Sequence, residues 1–144
     1  MQQIETEIAI DAPPERVWAI LTDFASYPEW NPMLPAIRGE AVEGRQLLVR
    51  YAGDKGPRDL WAKVSRSESQ RSLRWHGNVV FAGLVVAEQR FRLRKRSNGN
   101  TRLYQTIYFA GPLAPLLGHR LRTAAMDGAV SMNLALKRRV EAAG

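Results

Sequence analysis

The chain has no cysteine among its 144 residues. Disulfides, thiol nucleophiles and cysteine-ligated metals are therefore excluded, which fits a reducing compartment without requiring one. Histidine is almost as scarce, with only His76 and His119. Neither has a carboxylate or a second histidine at ligand spacing, so no metal site is expected. No run approaches the roughly 20 apolar residues of a membrane-spanning helix, so no stable membrane insertion is expected. The opening residues, Met1-Gln-Gln-Ile-Glu, lack the basic and apolar segments of a secretion signal. The expected location is the cytoplasm. A glycine-rich phosphate loop and a nucleophile elbow are both missing, and no cofactor is expected.

Acidic residues are also in deficit. Asp and Glu number 14 against 21 Lys and Arg, a net charge of +7. Such a balance raises the question of nucleic acid or another polyanion. The placement of the charges answers differently. Arg90, Arg92, Arg94 and Arg96 alternate with Phe91, Leu93 and Lys95. A period of two puts the arginines on one face of a strand and the apolar side chains on the other. The arginine face reads as the solvated outside of a sheet. No aromatic residue interleaves with the arginines along that run, so nucleic-acid binding is not expected.

What the chain does contain is an ordered series of elements. Ile4, Thr6, Ile8 and Ile10 alternate as a first strand. Pro13 and Pro14 stop it and open a helix, with Val17, Trp18, Leu21 and Phe24 at helical spacing. A second short helical piece at Tyr27 to Asn31 ends at Pro32 and Pro35. Segments 36–43 and 46–51 flank Gly44 as a hairpin, with further strands around 60–65, 73–78, 85–95 and 101–110. Short loops between successive strands imply an antiparallel meander. Gly111 and Pro112 break the last strand, and a helix is expected from about Leu113 to Glu141. Leu117, Leu121, Ala125 (or Ala124), Gly128, Met132 and Leu136 recur every three to four residues along it as one apolar stripe. Asp127 and Asn133 fall off that stripe. The middle of the stripe is small, which either lets the sheet approach or leaves a space beneath it.

Together these elements predict an α+β fold in a single domain spanning residues 1–144. It consists of a curved antiparallel sheet of about seven strands wrapped around a long C-terminal helix, plus two short helices. At this point the chain resembles the SRPBCC superfamily, also called START-like or birch-pollen-allergen-like, in its polyketide cyclase/dehydrase branch. The residues that carry the resemblance are Ile10-Asp-Ala-Pro13-Pro14-Glu15-Arg-Val17-Trp18, Asp23-Phe24, Tyr27-Pro28-Glu29-Trp30-Asn31-Pro32, Leu73-Arg-Trp75 and Gln89-Arg90-Phe91. It covers the whole chain in element order. The resemblance implies the helix-grip fold with a deep apolar cavity. It does not imply one activity, because the superfamily holds enzymes, carriers, receptors and chaperone activators, so activity is argued from the site.

Parity selects the candidate cavity lining. Trp75 shares a strand face with Leu73, and Tyr51 shares one with Leu47 and Val49. Gln89 shares a face with Phe91, and Gln105 with Ile107 and Phe109. Two amides on an apolar face need partners, which are each other, water or a ligand's polar group. Trp30 falls where the short helices meet the cavity mouth in this fold. Leu117, Leu121, Ala125, Gly128 and Met132 complete the lining from the helix side. Some relatives carry a histidine where Gln89 stands and a glutamate where Ile107 stands. Their replacement removes two titratable groups and weakens an acid–base mechanism. No catalytic residue is therefore assigned.

The expected function is binding of a small hydrophobic or amphipathic molecule, such as a lipid, polyketide or isoprenoid-like compound, between sheet and helix. The first alternative is a polyketide cyclase or dehydratase using the same cavity. The second is a protein-interaction role through the basic outer face.

Overall fold

The computed structural model describes residues 2–53, 56–79, 84–116 and 118–142. Seven strands form one sheet: β1 (Gln2–Ile10), β2 (Ala36–Arg38), β3 (Gln46–Gly53), β4 (Gly56–Glu68), β5 (Ser72–Asn78), β6 (Val86–Lys95) and β7 (Thr101–Ala110). Their order is β1-β7-β6-β5-β4-β3-β2, and every neighbouring pair is antiparallel. Strands β2 to β7 are a meander, and β1 returns to pair with β7 along its whole length. Two helices complete the fold, α1 (Pro14–Leu21) and α2 (His119–Ala142), with a 3-10 helix at Phe24–Glu29 between α1 and β2.

Two local devices bend the sheet. A register shift in β4 between Val64 and Arg66 marks a bulge, which adds twist and curvature where the strand crosses the sheet. Gly77 on β5 sits so close to β4 that a Cβ there would lie 2.5 Å from the Trp61 carbonyl oxygen. Only a residue without a side chain permits that approach.

The chain between α1 and β2 is held by side chains. The Tyr27 hydroxyl donates to the Leu21 carbonyl at 2.5 Å, closing the end of α1. The Asn31 side-chain oxygen accepts from the backbone N–H groups of Met33 (3.0 Å) and Leu34 (2.9 Å). This Asx turn redirects the chain toward β2. The Met33 carbonyl then accepts from the Ala52 N–H at 3.0 Å, which fixes Met33 against the end of β3.

Three expectations need correction. The last helix does not run from Leu113. A 3-10 turn at Ala114–Leu116 comes first, and α2 starts at His119. The cause is Pro115 with Gly118, whose carbonyl accepts the N–H groups of Leu121 and Arg122 and so starts the helix. The expected hairpin arm 36–43 is only three residues of strand, because Gly39 (φ +124°) turns the chain out of the sheet. The buried stripe of α2 is Ala129, Met132, Asn133, Leu136 and Val140. Asn133 is therefore on the stripe, while Leu121 stays 39% exposed. Only the C-terminal half of α2 beds down on the core, and its N-terminal half stands over a space.

On the outer face the arginines lie as expected, but aromatic residues join them. The Arg90 guanidinium lies 4.2 Å over the ring of Tyr108, and that of Arg92 lies 4.6 Å over Tyr104. These tyrosines come from β7, across the ladder from β6, so a reading of β6 alone misses them. Glu5, Glu7 and Glu88 share the surface, with Glu88 paired to Arg90 and Glu7 3.7 Å from Arg102. The hollow lined by Glu5, Glu7, Arg90, Arg92 and the two tyrosines, about 670 Å³, is polar and of mixed charge.

Candidate functional site

A second hollow lies under the N-terminal half of α2. It is smaller, about 180 Å³, and its wall is mainly apolar. The sheet supplies Leu60, Ala87, Ile107 and Phe109, the loop before β2 supplies Met33, and α2 supplies Leu121, Ala124, Ala125 and Gly128. The short side chains on α2 are what keep the space open. A Cβ at Gly128 would come 3.1 Å from Met33 Cγ, so Met33 already reaches across from the far wall.

Polar groups enter this wall at two places. Tyr51 and Gln89 stand side by side, with the Tyr51 hydroxyl donating to Gln89 Oε1 at 3.2 Å. Arg58 lies at the exposed rim, its Nη2 3.4 Å from the Val79 carbonyl. No carboxylate pairs with Arg58 among the described residues.

Gln89 is the first link in a buried chain. Its Nε2 donates to Gln105 Oε1 at 2.8 Å, and Gln105 Nε2 donates to Asn133 Oδ1 at 2.7 Å. Asn133 Nδ2 donates to Thr6 Oγ1 at 2.9 Å, and Thr6 Oγ1 donates to the Gln105 carbonyl at 2.8 Å. Gln89, Gln105 and Asn133 are each at most 3% exposed. Their satisfaction within the fold removes the desolvation penalty that two buried amides would otherwise carry. The ladder spans β3, β6, β7, α2 and β1, so it also pins the helix to the sheet.

Burial raises the pKa of Tyr51 above the ordinary tyrosine value. The Trp75 indole, beside the same hydroxyl, acts in the opposite direction. Its N–H reaches no hydrogen-bonding geometry and is left without a partner, as are Trp30 Nε1 and Asn31 Nδ2. Tyr51 is thus a neutral O–H group at physiological pH. Tyr51 and Arg58 are the titratable residues on the described cavity wall. No cluster of His, Cys, Asp and Glu capable of holding a metal occurs among the described residues.

The structure sorts the sequence candidates into three groups. Tyr51, Gln89, Ile107, Leu121, Ala125 and Gly128 line the cavity. Leu117 lies outside the described residues. Trp30, Trp75, Phe91, Gln105 and Met132 do not line it. Trp75 is 1% exposed and packs edge-on to Phe24 at 5.9 Å and against Phe91 at 5.4 Å. Trp30 packs on Tyr27 at 4.9 Å and so anchors the helix pair. Met132 is in the core beneath the seated half of α2, and Gln105 stands one link behind Gln89. The shared reason is that the concave face is longer than the cavity, and large side chains fill the rest.

The sequence reading missed Met33, Leu60, Ala87 and Arg58, while Ala124, the alternative to Ala125 on the stripe, lines the cavity beside it. Leu60 and Ala87 have the right parity, two residues from Ala62 and Gln89, and could have been found. Met33 has no periodic signal, because an Asx turn in a loop places it.

The family described as polyketide cyclase / dehydrase and lipid transport matches residues 1–141. The chain belongs to this family. Solved structures share its fold over nearly full length. A START superfamily protein from Mycobacterium smegmatis is 19% identical, with 99% of each chain covered and a TM-score of 0.78. The Zhui aromatase/cyclase from a Streptomyces species is 16% identical, covering 97% of this chain and 93% of that one, with a TM-score of 0.78. A protein from Mesorhizobium loti is 19% identical, with 99% of each chain covered and a TM-score of 0.79. No functionally curated protein matches the chain by sequence. These likenesses show the helix-grip fold. No helix among the described residues is long and apolar enough to cross a membrane.

Proposed function

We propose that the protein binds one small apolar or amphipathic molecule in the cavity under α2. The observation that carries this reading is the composition of the wall: apolar side chains from three parts of the fold, with polar groups gathered at Tyr51–Gln89 and at the Arg58 rim. Burying apolar ligand surface there contributes about 25 cal/mol per Å² before the costs of association. A volume of about 180 Å³ is below the roughly 300–1,000 Å³ of sites for drug-sized ligands, which favours a small occupant.

A cyclase or dehydratase in the same cavity would need a proton donor and acceptor within reach of the substrate. Tyr51 offers a proton, but burial holds it neutral and makes it a weak acid. No carboxylate or imidazole accompanies it on the described wall. Binding is therefore the favoured reading. Native mass spectrometry of protein purified from its own host, against a denatured control, tests it. A stoichiometric mass surplus that disappears on denaturation supports binding. A bare mass in the wild type and in an Ala125→Phe variant alike contradicts it.

A further inference from the structure

The direction of the buried amide ladder fixes which face of Gln89 looks into the cavity. Two anchors set that direction. Ala129 offers Gln105 a backbone carbonyl at 3.4 Å, which can only accept, so the Gln105 amide nitrogen must face α2. The Thr6 hydroxyl spends its one proton on the Gln105 carbonyl and must accept from Asn133. Both anchors require Gln105 Oε1 to face Gln89. Gln89 then turns its Nε2 toward Gln105 and Met33 Sδ, at 2.8 and 3.8 Å. Its Oε1 is left for Tyr51 and the cavity.

A carbonyl oxygen has two lone pairs, and Tyr51 uses one through a long bond of 3.2 Å. The inner end of the cavity therefore offers an acceptor that is still open. A hydroxyl group suits this acceptor, because it donates through its hydrogen and carries no charge into the apolar wall. At the rim, Arg58 is exposed and free of any carboxylate among the described residues.

We infer that the preferred ligand is a small hydroxy acid: a hydroxyl held at Gln89 Oε1, an apolar body against Met33, Ile107 and Ala125, and an acid group at Arg58. This rests on the reading of the cavity as a binding site and specifies its ligand. A carbonyl or ether at the inner end would leave Gln89 Oε1 facing another acceptor. An ammonium group at the rim would meet like charge.

Isothermal titration calorimetry with four probes tests the inference: para-hydroxyphenylbutanoic acid, phenylbutanoic acid, para-methoxyphenylbutanoic acid and para-hydroxyphenylbutanamide. The hydroxy acid should bind at least ten-fold more tightly than each of the others. The hydroxyl preference should collapse in Gln89→Met and the acid preference in Arg58→Gln. If Gln89→Met does not fold, Tyr51→Phe serves instead. It leaves the Gln89 carbonyl in place and should keep the hydroxyl preference. Equal or tighter binding of the methoxy, unsubstituted or amide probe overturns the hydroxy-acid assignment. If that binding is still abolished by Ala125→Phe, the cavity remains the binding site and only its polarity has been misassigned. No binding by any of the four probes overturns the assignment, and a bare native mass would then overturn the binding reading as well.

Discussion

Gln105 on β7 donates to Asn133 on α2 at 2.7 Å, and both side chains are buried. This bond joins the middle of the sheet to the seated half of the last helix. Beyond it toward the N-terminus, α2 runs over the cavity, so the bond marks where packed core gives way to open space.

Gln105→Leu removes the acceptor of Gln89 Nε2 and the donor to Asn133 Oδ1. Each buried group left unpaired costs about 1–3 kcal/mol. The expected loss is therefore about 2–6 kcal/mol, read from urea unfolding. Asn133→Ala should also destabilise. The double variant should lose less than the sum of the two, because the residues share one network.

Gly77→Ala should destabilise the sheet by about 1–3 kcal/mol, the range for forced overpacking. The added Cβ would meet the Trp61 backbone carbonyl at 2.5 Å, which cannot rotate away as a side chain could. Thermal unfolding measures this. An unchanged midpoint would mean that β4 and β5 separate more easily than their register suggests.

Alkaline pH should loosen the cavity. The folded pKa of Tyr51 is raised above its ordinary value of 10.0 by burial. Its contribution to stability is therefore fully present below that value and is lost as pH rises through the folded pKa. Burial also pushes the Tyr27 pKa up, so both act in the same direction. Unfolding free energies measured from neutral to strongly alkaline pH should fall for the wild type. They should fall less steeply for Tyr51→Phe.

At the acid end the sign reverses. Glu141 accepts from the Asp11 N–H at 2.8 Å and pairs with Lys137, and both interactions hold its pKa below 4.5. Its contribution is present above the ordinary glutamate range and is lost as pH falls through the folded value. Glu141→Gln should be less stable than wild type near neutral pH. The two should converge in strong acid.

The sequence and the structure agree where the two-residue period of a strand governs the answer, whereas the helical period of α2 misplaces part of the buried stripe. Thr6, Gln89, Gln105 and Ile107 all point as strand parity requires, and the sheet order follows from short loops between antiparallel neighbours. Disagreement begins where single residues override the period. Pro115 and Gly118 delay α2, and Asn31 steers Met33 into the cavity through a turn. Asn133 falls off the apolar stripe by spacing, yet it is buried because Gln105 and Thr6 satisfy its amide. Trp75 and Phe91 face inward as parity requires, yet they fill the core, since parity gives a direction and not the depth of the space. The stacking of Arg92 on Tyr104 depends on cross-strand register, which no single strand contains.

The most direct test of the central claim is methyl NMR of methionine-labelled protein titrated with para-cresol. Met33 stands on the cavity wall, Met132 is in the packed core, and Met126 is exposed on α2. Binding in the cavity predicts a saturable shift of the Met33 methyl signal, with Met126 unchanged. A shift at Met126 with Met33 unmoved would place the ligand on the helix surface and contradict the account.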